Sequence, residues 1–286
     1  MTDVIERTEL LLPGPAEALG RLLDVPVPDL AHGAGLPLLW HWVYLLDRPA
    51  QADLGPDGHP VRGTLPAPPE PGRRRMWAGG QVRANGSLRC GQAAIKRSRV
   101  LSVEEKRGRS GSLTFVVVRH QVIQRGQVVI EERQDIVYRA ASSPPGPAAA
   151  PTTDPAVEGP VVPAGDGEWP VDVSPTLLFR FSALTYNAHR IHYDRDYARD
   201  VEGYPGLLTH GPLQALAMAE AARATGAAGD PAAGGGQEFA YRLESPLFDH
   251  QGMIVKAVRE QDATATSVRD SHGRQTASGT LRSGNR

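Results

Sequence analysis

The sequence predicts an α+β protein made of two similar units, each an antiparallel sheet with one long helix. Three observations predict it: a proline-rich strap near the middle, the same order of patterns on either side of it, and β-branched runs that return around glycine turns. The strap is residues 141–170, ASSPPGPAAAPTTDPAVEGPVVPAGDGEWP, with eight prolines and no Lys or Arg. Proline lacks a backbone N–H and the stretch has no apolar period, so it reads as a linker. It separates an N-terminal unit, residues 1–140, from a C-terminal unit, residues 171–286.

Along the first unit, PDLAHGAGLPLLWHWVYLL sets His32-Gly33 before an apolar run of helical length. NGSLRCGQAAIKRSRVLSV follows with a Leu, a polar turn ending in Gly91 and an apolar run carrying Lys96. Two β-branched runs in SLTFVVVRHQVIQRGQVVIEERQDIVYR then flank Gly126, which is the pattern of a hairpin. In the second unit, Leu177–Thr185 reads as a strand or strand plus turn, and Tyr186–Asp194 as a loop or short helix too polar to be core. GLLTHGPLQALAMAEAARA sets His210-Gly211 before a helix, and Pro212 suits a first helical position, where its missing N–H would be unpaired anyway. ESPLFDHQGMIVKAVREQD repeats the Gly turn and Lys as Gly252 and Lys256, and TATSVRDSHGRQTASGTLR repeats the hairpin more weakly around Gly273. A long helix wrapped by an antiparallel sheet is the hot-dog arrangement, and two copies make a double hot dog. Periodicity alone does not select it over other α+β folds.

Composition narrows the function classes. The 286 residues are 40% hydrophobic, as in a globular protein, and 31 basic residues balance 32 acidic ones to a net charge of −1. No overall field draws such a chain to nucleic acid or an acidic membrane. Cys90 is the only cysteine, which excludes an internal disulfide and a cysteine-rich metal site and fits a reducing compartment. MTDVIERTELLLPGP has neither a basic n-region nor a long apolar h-region, so no secretion signal is expected. The apolar run from Leu36 to Leu46 is interrupted by Pro37 and His41 and falls short of a membrane span. The expectation is a soluble cytoplasmic protein, monomeric or homodimeric.

Chemistry concentrates in LLFRFSALTYNAHRIHYDRDYARDVEGYPGLLTHGPLQ, from Leu177 to Gln214. Leu184-Thr185-Tyr186-Asn187 is followed by His192 five residues after Asn187, and Gly211 lies nineteen after His192. This resembles the MaoC-like hydratases and dehydratases, whose signature L-T-G-D-x-N-P-x-H precedes an H-G at a helix start. The branch with mesaconyl-CoA and itaconyl-CoA hydratases and the fungal-type 3-hydroxyacyl-thioester dehydratase is closer still. FRFSALTYNAHRIHYDRDYA, GYPGLLTHGPLQ, GPDGHPVRGTLP and RRRMWAGG carry that likeness, which covers most of the chain outside the strap.

The resemblance implies cofactor-free addition of water to, or its removal from, an acyl thioester on CoA or a carrier protein. In the family a dyad of Asp and His acts, whereas Asn187 stands at the Asp position here. An amide takes no proton at neutral pH but orients water through its oxygen and hydrogens. His192 is therefore the expected proton-transfer group and Asn187 the water holder. Charge gathering on the thioester oxygen needs a donor, and Gly211 N–H at a helix start is the candidate. His189, Arg190, Tyr186, Tyr204, His210, Arg75 and Trp77 are expected to contact substrate. Arg73, Arg74 and Arg75 fit CoA phosphates, a free carboxylate, or a solvated basic turn. Trp77, Trp40 and Trp42 read as core or tunnel wall. His189, His192 and Asp194 could be read as a metal cluster, but the family resemblance implies none. A small branched dicarboxylic acyl-CoA is one implied substrate. A non-catalytic acyl-CoA binder and a hot-dog thioesterase are the alternatives.

Overall fold

Ten strands of the computed structural model, which describes residues 4–62, 74–108, 111–139, 160–226 and 236–283, join in one antiparallel sheet. The elements run β1 (Ile5–Leu10), α1 (Pro13–Leu22), β2 (Arg74–Ala84), β3 (Ala93–Gly108), β4 (Gly111–Gln124), β5 (Gln127–Arg139), β6 (Glu168–Val171), α2 (Pro175–Leu184), α3 (Gly211–Ala224), β7 (Gln237–Leu243), β8 (Met253–Arg259), β9 (Thr264–Arg269) and β10 (Gln275–Ser283). Their order across the sheet is β1-β3-β4-β5-β2-β7-β10-β9-β8-β6. Outward from the β2/β7 seam, the strands on one side match those on the other in sequence position. The two units therefore share one topology, and the fold is a double hot dog. Hairpin β4–β5 turns at Arg125 and Gly126, both at positive φ (52° and 76°), which suits a tight hairpin turn.

Helix α3 is buried on nearly every side from Leu213 to Ala222 and packs across β8, β9 and β10. Its alanines at 215, 217, 219 and 222 let the sheet come close, and a helix apolar all round belongs inside. One buried polar pair ties it to the first unit: Trp40 Nε1 donates to Glu220 Oε1 at 2.8 Å.

Three expectations are corrected. The apolar run after His32-Gly33 is not a helix: Leu30–His32 and Trp40–Val43 are short 3₁₀ turns. Leu39 and Leu45 sit at φ 68° and 53°, which a right-handed helix cannot contain, and Leu36 N–H bonds to Leu88 O instead of to a helical turn. The first unit thus has no counterpart of α3 among the described residues. Second, Leu177–Thr185 is not a strand but most of α2. Ser174 Oγ accepts from Leu177 N–H at 3.2 Å, Pro175 opens the helix, and Leu177, Leu178 and Phe181 bury one helical face. Third, the end of the strap is not structureless. Glu168–Val171 pairs with β8 as the edge strand β6, where Pro170 is tolerated.

Candidate active site

The end of α2 aims the segment that follows. Tyr186 takes φ 52° at the place where the family signature has Gly, turning the chain sharply. Asn187 N–H then returns to Ser182 O at 2.8 Å, and Asn187 Oδ1 accepts from His189 N–H at 3.0 Å, an Asx turn. The 3₁₀ turn Arg190–His192 is pinned by buried Ile191. Arg190 braces its outside, donating to Asp194 Oδ2 at 3.0 and 2.7 Å and lying 4.1 Å from the Tyr197 ring centroid.

His192 is buried and its Nδ1 lies 2.7 Å from Leu208 O. A carbonyl only accepts, so Nδ1 carries the hydrogen and the neutral ring keeps its lone pair on Nε2. Burial lowers the pKa of His192 to about 4, against the stabilising Leu208 bond and with His59 adding to the fall. The ring is neutral at pH 7. Beneath it lies His210, stacked at 3.6 Å between centroids and bonded through Nε2 to Ser182 Oγ at 2.9 Å. His210 is fully buried and caps α3 through its carbonyl, which accepts from Leu213 and Gln214 N–H.

The first unit completes the surroundings with the loop GPDGHP. His59 packs at 3.9 Å from the His189 ring, and His189 meets His192 edge-on at 5.4 Å. Asp57 Oδ2 bonds His59 Nδ1 at 3.2 Å, while Asp57 O accepts from Arg190 N–H at 2.9 Å. Gly58, at φ 86°, lets this contact close: a Cβ there would stand 1.9 Å from Ala188 O. Asp57, His59 and His189 are also a group whose ligand atoms lie within 4.8 Å of one another. Within that group the His59 and His189 rings are tilted by 41° to one another, and His59 Nδ1 is already bonded to Asp57 Oδ2.

A cavity of about 930 Å³ opens over these groups and extends into the first unit. Asn187, His189, His192, Gly211, Tyr186, Tyr204, Arg75 and Trp77, all candidates from the sequence, line it. Gly211 lines the cavity at the start of α3 and its N–H donates to no described group, while Pro212 beside it has no N–H. A Cβ on Gly211 would meet Leu243 Cδ1 at 2.2 Å. Trp77 Nε1 donates to Tyr241 OH at 2.9 Å and its ring meets Trp42 at 5.7 Å, giving an aromatic wall. Arg75 lies close enough to depress the pKa of both His59 and His189, after burial, the main cause.

Arg190 and His210 are absent from the wall. The first faces outward to Asp194 and Pro56 O, and the second lies under His192, so neither meets the expectation of direct substrate contact. Arg73 lies outside the described residues, as does the side chain of Arg74. Asp194 is bonded to Arg190 and Tyr197 N–H, away from any cluster with His189 and His192. Asp57 and His59 went unassigned from sequence although the motif containing them was visible.

A family model for hydroxyacyl-thioester dehydratase type 2 matches residues 39–249. The chain is 45% identical over 239 residues to mesaconyl-C(4)-CoA hydratase of Chloroflexus aurantiacus, covering 82% of this chain and 79% of that one. It is 26% identical to the mitochondrial hydroxyacyl-thioester dehydratase type 2 of Schizosaccharomyces pombe, with the same coverage of 82% and 79%. Among solved structures, HtdX of Mycobacterium tuberculosis superposes with TM-score 0.67 at 15% identity, covering 99% of both chains. A MaoC-like dehydratase from Phytophthora capsici gives TM-score 0.67 at 14% identity over 100% of this chain and 96% of that one. A further Mycobacterium tuberculosis protein described as a double hot-dog fold gives 0.56 at 16% identity, covering 99% and 95%. The chain belongs to the hydroxyacyl-thioester dehydratase type 2 family and is a hydro-lyase of acyl thioesters.

Proposed function

We propose that the protein adds water across the α,β double bond of an enoyl-CoA, and runs the reverse dehydration, with His192 as the base. The observation that carries this is the Leu208 carbonyl on His192 Nδ1, which leaves a basic Nε2 in the cavity wall that also holds Gly211 N–H. In hydration, His192 Nε2 takes a proton from water as the water oxygen bonds to the β-carbon. The π electrons move toward the thioester oxygen as an enolate, and Gly211 N–H with the positive end of α3 stabilises it. The protonated His192 Nε2 then delivers that proton to the α-carbon, which completes the addition and leaves the ring neutral again. In dehydration His192 Nε2 takes the α-proton and gives it to the leaving hydroxyl.

Asn187 holds the attacking water through its amide N–H₂, since its oxygen already accepts from His189 N–H. Arg75 and Trp77 contact the substrate, the arginine meeting a CoA phosphate or an acyl carboxylate. Residues 171–286 supply the catalytic groups, and residues 1–140 line the acyl pocket. A mesaconyl-type thioester is a fitting substrate because the relative at 45% identity is named for that reaction.

The test follows enoyl-CoA absorbance and free thiol together. Hydration removes the conjugated signal with the thioester intact. Release of thiol identifies a thioesterase, and no change in either identifies a binder; both outcomes contradict the proposal.

A further inference from the structure

The inner face of the first unit's sheet is polar where a core should be apolar. Strand register places Ser98 opposite His120, and His120 opposite Glu132, with Lys96 and Gln134 two residues along on the same face. In the second unit α3 covers the corresponding strands β8, β9 and β10. Here no helix does so among the described residues, and Lys96, His120, Glu132 and Gln134 line the cavity instead.

Within this row the anions are already served. Glu132, almost fully buried, receives His41 Nε2 at 3.0 Å, Trp42 Nε1 at 3.0 Å and Gln134 Nε2 at 2.7 Å. Asp47 is bonded by Arg7. The donors are less fully served. Lys96 Nζ, on a side chain only 19% exposed, reaches Asp47 no closer than 3.9 Å, too long for a hydrogen bond. His120 is 8% exposed, has Nδ1 bonded to Ser98 Oγ at 2.7 Å, and leaves Nε2 buried without a partner among the described residues. Ser98 Oγ can donate to Nδ1 or accept from it, and in the tautomer in which it donates, Nε2 carries the ring hydrogen and is free to meet an anion. A half-buried ammonium held only by a long ion pair, and a buried ring nitrogen without a hydrogen-bond partner among the described residues, carry a desolvation cost that an incoming anion would offset.

We propose that Lys96 and His120 form a subsite for a carboxylate at the far end of the acyl chain, so the preferred thioesters are those of dicarboxylic acids. This rests on the reading that the cavity holds an acyl-CoA, but not on turnover. The test therefore uses saturated thioesters, which cannot be hydrated. Adipoyl-CoA, hexanoyl-CoA and 6-hydroxyhexanoyl-CoA, matched in length, are titrated calorimetrically into the parent protein, Lys96→Met and His120→Gln.

Adipoyl-CoA is expected to bind the parent about 10- to 100-fold more tightly than hexanoyl-CoA, the range of a charge-assisted hydrogen bond. Lys96→Met is expected to bring that preference within about threefold, and His120→Gln to reduce it in part. Equal binding of adipoyl-CoA and hexanoyl-CoA by the parent overturns the subsite and needs no variant. Tighter binding of the hydroxyl-ended thioester, or an adipoyl preference that survives in a folded Lys96→Met, overturns the anionic assignment. Loss of enoyl-CoA turnover leaves these affinities unaffected, so failure of the hydration mechanism and failure of the subsite are separately visible.

Discussion

His192 Nδ1 is committed to a backbone carbonyl, and that single bond determines which nitrogen can act as a base. Burial sets the pH at which it acts. With its pKa lowered to about 4, the ring stays unprotonated well below the ordinary histidine range. kcat/KM for hydration is accordingly expected to hold from pH 7 to about 5.5, with its acid limb near pH 4. An acid limb near the unperturbed value of about 6.5 would contradict this. At Asn187, the Asp variant keeps the oxygen that accepts His189 N–H and retains part of the activity, whereas Asn187→Ala loses most of it. Full turnover by the Ala variant in a steady-state assay would remove Asn187 from the mechanism. His192, Asn187 and Gly211 could be picked out as candidates because all three lie within one stretch that carries the family resemblance. The meeting of His59 with His189 was not, since residues far apart in sequence leave no local period.

Elements position these residues through a few closely fitted contacts. Gly58 admits the GPDGHP loop against the turn before His192, so Gly58→Ala must displace one of them, both because of φ 86° and because of the Ala188 carbonyl. Lowered Tm together with a larger loss in kcat than a surface glycine substitution is the expected outcome, checked by thermal melts and kinetics. Ser174→Ala removes the cap of α2 and costs about 1 kcal/mol, to be read from denaturant unfolding. Strands and hairpins were readable from β-branched runs and glycine turns. Helix α2 was not, because a short apolar run fits a strand as well as a helix until its cap is seen. The Trp40 segment misled in the opposite sense. Its apolar residues are buried as expected, but by an irregular path through Leu39 and Leu45 at positive φ, which composition does not report.

At the scale of the whole molecule, one continuous sheet carries a helix over one half and, among the described residues, none over the other, and residues of both units line the cavity; in the proposed function, catalysis and acyl recognition are divided between these units. The repeat was visible in sequence; the loss of one helix from it was not. Burial lowers the pKa of His59, His120, His189, His192 and His210, so each is less readily protonated in the fold than in the unfolded chain. Unfolded histidines take up protons as pH falls below about 6.5, and the folded ones do so only later. Their contribution to stability is therefore complete above about 6.5 and is lost as pH falls through the folded values, near 4 for His192. Each contributes a slope of at most about 1.4 kcal/mol per pH unit in that window. Urea unfolding at pH 7, 6 and 5 should show stability declining stepwise; a flat profile would mean these histidines titrate normally.

The most direct measurement of the central claim is the rate at which enoyl-CoA absorbance is lost with the parent and with folded His192→Ala. A fall of about 100-fold or more, as expected on removing a general base, is the predicted result. An Ala variant that matches the parent on its best enoyl-CoA would contradict the assignment of His192 as the base.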